Sequence, residues 1–480
     1  MKPNEAAQDS RLHSFVLILR RQVRAHSVEL SLFLCLWFSC GVVLNSRNQS
    51  SFNLQHAGIE AMVERRHFYL EGSSTPRLQM RAYLDNAGRP FGDVFTYRGH
   101  QYAAKQPGQF MIGAFVYFLL HLFGLSYGGN YFLTSALVSF FTTSLITAAA
   151  ALAIFGTVRE LIGGEGLSWP LASAIIFGLG TTAFVYSGIT YHDGLASGYL
   201  AIAFYLAVLL ARRRLSGRSA KLLAGSCGCL LGLTVTTSML PFFMTCIVAI
   251  YVISLRRRDL IAALLVGGLV GIIPLLFYNS VSFGNPLANS YMVGGYPESM
   301  LRLDLHNSLE KARLYASDIT LYVPVMWFGV LGLIFYPPRL RREQLALIGL
   351  LVAQAIQILN IDSHGGCHYG PRFLLPSMPF ACIGLAGFYY LRRGMPKILA
   401  VSAIAMTTAF SIFVNTIGAI YGAMYCDVEV YAAWPALKAV GAGAWRELPL
   451  AGWLLIPLVS SVMLLIYSVR NYRRPPTPAI

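Results

Sequence analysis

Ten long stretches of this chain carry no Asp, Glu, Lys or Arg, and clusters of basic residues separate them. The stretches are 131–157, 168–190, 194–211, 222–255, 260–278, 319–336, 344–360, 373–391, 398–418 and 450–467. The basic residues gather at Arg20, Arg21 and Arg24, at Arg159, and in the segments 212–221, 256–258, 339–342, 392–397 and 470–474. Apolar runs of this length match a hydrocarbon core about 30 Å thick. Short loops rich in Lys and Arg stay on the cytoplasmic side. The alternation predicts an all-α, polytopic helical membrane protein of about 12 transmembrane helices, both termini cytoplasmic.

Composition agrees. Of the 480 residues 56% are hydrophobic and only 12% charged, whereas soluble domains run near 25% charged. A soluble globule is excluded. The first 28 residues are polar and basic, without the apolar core of a cleavable signal. They form a cytoplasmic tail (1–28), and the first span reads as a retained anchor. The membrane domain covers 29–468, and 469–480 is a second cytoplasmic tail.

The net charge of +16 does not point to nucleic acid. On this topology 23 Lys/Arg and 7 Asp/Glu are cytoplasmic, while the opposite face carries 14 of each. The cytoplasmic excess equals the whole net charge, so it is a topology signal and an attraction to anionic lipid.

The spans fall at 29–46, 131–157, 168–190, 194–211, 220–238, 240–255, 259–278, 318–336, 343–360, 371–391, 398–418 and 450–468. One further apolar run, 108–126, would reverse the side of every later cluster if it crossed alone. It is expected to lie as a juxtamembrane helix at the outer interface, within a large outer loop, 47–130. Six of the eight cysteines lie within spans and read as small core residues. Cys367 and Cys426 fall in neighbouring outer loops, where oxidation can join them.

With charge-free spans, an ion-coupled transporter is disfavoured, since such proteins carry ionisable groups at mid-membrane. No internal repeat of the transporter kind is evident. The polar side chains collect on the outer face. They include Glu71, Asp93, His100, Tyr102 and Lys105 in the large loop, and His192 and Asp193 at the corner before the 194–211 span. Others are His364, His368 and Arg372, after the 343–360 span. A polar face above a bare bundle suits a substrate with a lipid tail in the bilayer and a polar head outside.

Four segments carry a family resemblance. GDVFTYRGHQYAAKQPGQFMIGAFVYFLLHLFG resembles the first-loop signature of GT-C polyprenyl-phosphate-sugar glycosyltransferases. YSGITYHDGLASGYLAIAFYLAV follows, with an acid at the outer start of a helix, and then FYNSVSFGNPLANSY. HYGPRFLLPSMPF resembles the family's aromatic-Gly-Pro-Arg turn. The resemblance covers about 45–390, in the expected order. Protein O-mannosyltransferases and the lipid A aminoarabinose transferase share the same architecture. Two departures stand out: no acid precedes Glu60 after the first span, and Ala104 occupies the position before Lys105 where some members carry an acid.

The resemblance implies a membrane glycosyltransferase that uses a polyprenyl-phosphate-linked sugar on the non-cytoplasmic face. The acceptor is a glycan, lipid or protein, membrane lipids are partners, and the location is the bacterial inner (plasma) membrane. The expected reaction is inverting transfer of a hexose or pentose. It needs a base for the acceptor hydroxyl and cations for the departing lipid phosphate. Asp93 ranks first as base, Asp193 second and Glu71 third. Lys105 and Arg372 are the expected phosphate ligands. His364 and His368 are candidates to assist them or to hold a divalent cation. Tyr102, His100 and His192 are candidates for sugar or acceptor contacts. A lipid-linked glycan flippase, or a ligase or polymerase of such glycans, is the alternative reading.

Overall fold

The computed structural model describes residues 26–79, 93–213, 215–295, 305–361, 367–392, 394–426 and 431–472. His364, the basic residues of 1–25 and Arg473 and Arg474 therefore lie outside the described residues. In chain order come α1 (Ser27–Val42), α2 (Ser46–Ser51), α3 (Asn53–Glu60), the antiparallel hairpin β1 (Val94–Tyr97) and β2 (His100–Ala103), and α4 (Gly108–Leu122). Then follow α5 (Tyr131–Leu161), α6 (Ser168–Gly180), α7 (His192–Arg212), α8 (Gly217–Thr237), α9 (Phe242–Ile253) and α10 (Arg258–Phe283). The last are α11 (Leu305–Tyr322), α12 (Val325–Gly332), α13 (Arg341–Leu359), α14 (Arg372–Tyr390), α15 (Met395–Tyr421), α16 (Ala433–Gly441) and α17 (Ala451–Arg470).

Among the described residues, eight helices are long and apolar enough to cross a membrane: α5, α7, α8, α10, α13 with its leading turn, α14, α15 and α17. The bent pair α11–α12 is a ninth when taken as one span. Three more expected spans coincide with the shorter apolar helices α1, α6 and α9. Large apolar side chains stand exposed along α10 (Leu265, Leu269, Ile273, Phe277), α15 (Met406, Phe410, Phe413) and α17 (Trp453, Ile456, Met463). Continuous apolar surface on this scale belongs against lipid. The chain is an integral membrane protein.

The structure differs from the sequence expectation at 318–336. An unbroken span is expected there, but α11 and α12 meet at 111°. Pro324 sits at the break and precedes α12. Its ring removes an N–H and clashes with the preceding turn. The polar stretch ahead of the break, expected as loop, is helical as α11. The 108–126 run folds as α4, 15 residues long. At 1.5 Å per residue that is about 22 Å, short of a full crossing. Gly58 of α3 makes room for Phe110, and Gly113 makes room for Ile59, so α3 and α4 pack closely.

A close seam joins α8 and α10. A methyl group at Gly228, Gly232, Gly267 or Gly271 would drive into backbone of the facing helix. Without a side chain the two backbones touch, the close approach that small residues allow in membranes. Gly267→Leu should therefore destabilise the protein by about 1–3 kcal/mol or more. The thermal aggregation midpoint in detergent reads it out. Gly441→Ala, which meets nothing within 4 Å, is the silent control.

Candidate active site

The hairpin builds the first half of the site. Arg98 and Gly99 both have positive φ, 50° and 82°, the turn geometry whose twist suits a two-residue hairpin. Register then places Val94 opposite Ala103 and Phe95 opposite Tyr102. Ala104 N–H donates to the Asp93 carbonyl at 2.6 Å, which extends the pairing by a step. Asp93 and Lys105, 12 positions apart in sequence, meet beyond the strand ends: Nζ lies 2.8 Å from Oδ2. The lysine side chain is 7% exposed and the aspartate 52%. Burial raises the Asp93 carboxyl, but Lys105, with smaller help from Arg372 and His192, outweighs it and holds the group below the ordinary range. Burial likewise works against the Lys105 charge, and Asp93 more than restores it.

Three contacts seat this half. Ser290 Oγ donates to the Lys105 carbonyl at 3.1 Å. Phe95 and Tyr102 pack with Tyr278 and Phe283 at the end of α10. Gly108, the first residue of α4, abuts Thr236 and Thr237 at the end of α8, where a side chain would strike backbone.

Asp193 stands in the first turn of α7, where a carboxylate suits the helix dipole. It is 1% exposed. Its Oδ1 accepts from Ser238 Oγ at 2.8 Å and lies 3.5 Å from His192 Nε2. Tyr191 N–H donates to Thr143 Oγ1 at 3.2 Å and fixes the corner.

Arg372 opens α14. Its guanidinium carbon lies 5.0 Å from the Phe373 ring centre and 5.7 Å from that of Tyr191. The segment before it is clasped: Cys367 is disulfide-bonded to Cys426, and Tyr369 N–H donates to the Ala423 carbonyl at 2.9 Å. Gly370 has φ 68°, and a side chain there would strike Thr182 and Tyr322. The joined cysteines agree with the sequence expectation. His368 sits in this clasped segment.

Asp93, Lys105, His192, Asp193 and Arg372 thus meet at one end of the bundle, within electrostatic reach of one another. Tyr291, which the sequence reading missed, joins them. Burial raises its hydroxyl, and the charges of Lys105, Asp93, Asp193 and Arg372 all act on it. It follows Ser290, the partner of Lys105, in the short helical turn Ser290–Val293, at the end of the segment FYNSVSFGNPLANSY. Glu71, His100 and Tyr102 are placed otherwise. Glu71 accepts the Gln101 backbone N–H and lies 3.9 Å from His100 Nδ1, so it braces the hairpin. His100 stacks on Tyr69, and Tyr102 is a packing residue.

Several buried polar atoms at this end have no hydrogen-bond partner among the described residues: the Tyr191 hydroxyl, His192 Nδ1, Asp193 Oδ2, Arg372 Nε, and both amide atoms of Gln106 and Gln109. Each such atom costs about 1–3 kcal/mol unless something fills its valence. Orphans gathered around two cations and two carboxylates mark a place built for a ligand rich in oxygen. The described residues include no group of three or more His, Cys, Asp or Glu suited to a metal ion. Here both carboxylates lie among cations, a donor set that suits an anion better than a divalent cation.

No family model matches the chain, and no curated protein matches it. Among solved structures it is similar to ArnT from Cupriavidus metallidurans bound to undecaprenyl phosphate, with 14% identity and a TM-score of 0.49, covering 94% of this chain and 78% of that one. It is also similar to the Archaeoglobus fulgidus oligosaccharyltransferase in the apo form, with 13% identity and a TM-score of 0.47. The archaeal oligosaccharyltransferase AglB from Archaeoglobus fulgidus in complex with an inhibitory peptide and a dolichol-phosphate gives 12% identity and a TM-score of 0.46. Each archaeal match covers 93% of this chain, which spans 60% of the archaeal one.

Proposed function

We propose that the protein is a membrane glycosyltransferase that moves a sugar from a polyprenyl-phosphate-linked donor to an acceptor hydroxyl on the non-cytoplasmic face. One observation carries the reading: two cations and two carboxylates converge amid unpaired polar atoms at one end of a charge-free bundle. Lys105 and Arg372 are suited to a phosphate, and the orphan donors and acceptors to sugar hydroxyls. Lipid-exposed apolar faces below suit the prenyl chain.

Among the described residues the basic clusters around Arg159, Arg212, Arg256–Arg258 and Arg339–Arg342 lie at the opposite end of the bundle, and Cys367–Cys426 lies on the site side. Both support an oxidising, non-cytoplasmic compartment for the site. On this topology both termini are cytoplasmic and α4 lies along the outer interface without crossing.

The two carboxylates divide the work. In an inverting transfer the acceptor oxygen attacks C1 from the face opposite the phosphate. A base that shares a cation with the leaving group stands on the wrong side. Asp93 touches Lys105 and its proton affinity is depressed, so it is the counter-ion that donor phosphate displaces. Asp193 keeps one oxygen on Ser238 and one unpaired, and it takes the acceptor proton. This reverses the order expected from sequence. The O–C1 bond forms as the C1–O phosphate bond breaks, and the electron pair leaves with the phosphate beside Lys105 and Arg372.

The test is release of polyprenyl phosphate by purified full-length protein from a panel of synthetic polyprenyl-phosphate hexoses and pentoses. Turnover of one donor supports the reading. Unidirectional passage of intact donor across vesicles without cleavage would favour a flippase.

The disulfide gives a further expectation. It tethers the segment that aims Arg372, so Cys367→Ala should weaken donor phosphate binding about tenfold, within the range for one charged hydrogen bond. Binding of undecaprenyl phosphate, with and without reductant, measures it. Reductant should act on the parent and leave Cys367→Ala unchanged.

A further inference from the structure

The opposite end of the bundle holds a second constellation. The end of α7 and the start of α13 enclose a pocket of about 320 Å³ lined by Arg212, Arg339, Arg341, Arg342 and Glu343, with Ala211 and Pro338. All four arginines are exposed. The one acid is turned inward: Glu343 is 4% exposed and accepts from the Tyr251 hydroxyl at 3.4 Å. The pocket is held in shape. Leu340 is fully buried between the arginines. Gln344 donates to the Leu333 carbonyl at 2.6 Å and accepts from Arg341 at 3.1 Å. The Arg339 guanidinium lies 5.7 Å from the Tyr390 ring centre. Arg212 also edges a larger groove of about 910 Å³ whose walls include Phe33, Leu152, Ile202 and Leu206.

The arginines sit where charge-free helix begins. Below them Leu345, Ile348, Val352 and Ile356 form an exposed apolar stripe along α13, and Ile334 is 70% exposed beside it. Four guanidiniums at the head of an apolar stripe match one chemistry, a phosphate headgroup with acyl chains attached. Guanidinium forks bind phosphate oxygens in pairs, and basic pockets between membrane helices hold anionic headgroups.

We propose that this pocket is a binding site for an anionic glycerophospholipid, its phosphate among Arg212, Arg339, Arg341 and Arg342 and its chains along α13. The site is separate from the transfer chemistry, and its test needs no turnover.

Full-length protein in neutral detergent is titrated with phosphatidylglycerol and, separately, phosphatidylcholine, and bound lipid is counted by native mass spectrometry. Phosphatidylglycerol should bind at least tenfold tighter than phosphatidylcholine. R341Q/R342Q should lose about thirtyfold in phosphatidylglycerol affinity, given the usual contribution of each surface charge. R341K/R342K, which keeps the charge, should lose less than a third of that effect. R256Q/R258Q removes two charges at the same end outside the pocket and should leave affinity within about twofold of the parent. If R341Q/R342Q does not elute as folded protein, R212Q on the other wall replaces it, with an expected loss of about fivefold. Equal loss in R256Q/R258Q would reduce the effect to general surface charge and overturn the site. So would unchanged binding in the pocket variants. Displacement of the lipid by excess inorganic phosphate would show an anion site without chain recognition, and also overturns it.

Discussion

Asp193→Asn should lower sugar transfer by about 10²–10⁴-fold, the usual contribution of a positioned base, and leave donor affinity within about twofold. Asparagine keeps an oxygen for Ser238, so the corner at Tyr191–Asp193 survives while the proton acceptor is lost. The effect should fall on kcat and not on KM, because the base acts only as the acceptor attacks. Asp93→Asn separates the two roles. It frees Lys105 of its counter-ion, so donor should bind as well or better, and turnover should fall by about tenfold or less. Single-turnover rates with saturating donor read both. If Asp93→Asn proves the more damaging to kcat, the division of roles argued above is wrong and the base is Asp93.

Lys105→Met should lower undecaprenyl phosphate affinity by about 10–100-fold, the range for a lost charge-assisted hydrogen bond. It should also slow transfer about 10²–10³-fold, since the developing phosphate charge loses its nearest cation. Part of that loss comes from Asp93, left without a partner beside an incoming anion. The double variant Asp93→Asn, Lys105→Met removes this repulsion and should regain part of the binding but not the rate. Arg372→Gln should weaken binding comparably without changing the effect of Asp93→Asn. Isothermal titration with undecaprenyl phosphate, beside turnover, separates these outcomes. Full donor affinity in Lys105→Met would remove the phosphate role.

Much of this was legible because membrane physics writes simple rules into sequence. Charge-free runs and basic clusters gave the helical membrane class and most helix positions. Pro324 was visible too, but its effect was not. The residues before it are too polar to score as a span, so only packing shows that they continue as α11. At the site, Asp93, Lys105, Asp193 and Arg372 were named from residue type and motif. Their meeting depends on the hairpin register and on the α4–α8 contact at Gly108, which no local pattern encodes. Glu71, His100 and Tyr102 were named from the same polar loop, and the hairpin engages each of them in its own contacts. Strand alternation turns Tyr102 inward, toward Phe283, and Glu71 gives one oxygen to a backbone N–H while its Oε2 stays buried and unpartnered among the described residues. Tyr291, Gln106 and Gln109 lie inside the quoted segments but are uncharged, so residue type did not single them out there. Their significance lies in being buried among charges or without partners.

The glycine seam between α8 and α10 works as a caliper. One jaw is Thr237, at the end of α8, which Gly108 abuts; the other is Phe283, at the end of α10, against which Phe95 and Tyr102 rest. The hairpin that carries Asp93 and Lys105 is gripped between them, so backbone contact some distance down the bundle sets the gap in which it sits. A larger seam residue would part α8 and α10 and widen the aperture facing Asp193 and Arg372, at the cost in stability given above and with every side chain at the mouth left as it is. A lineage that needed to admit a bulkier sugar would have that route open to it.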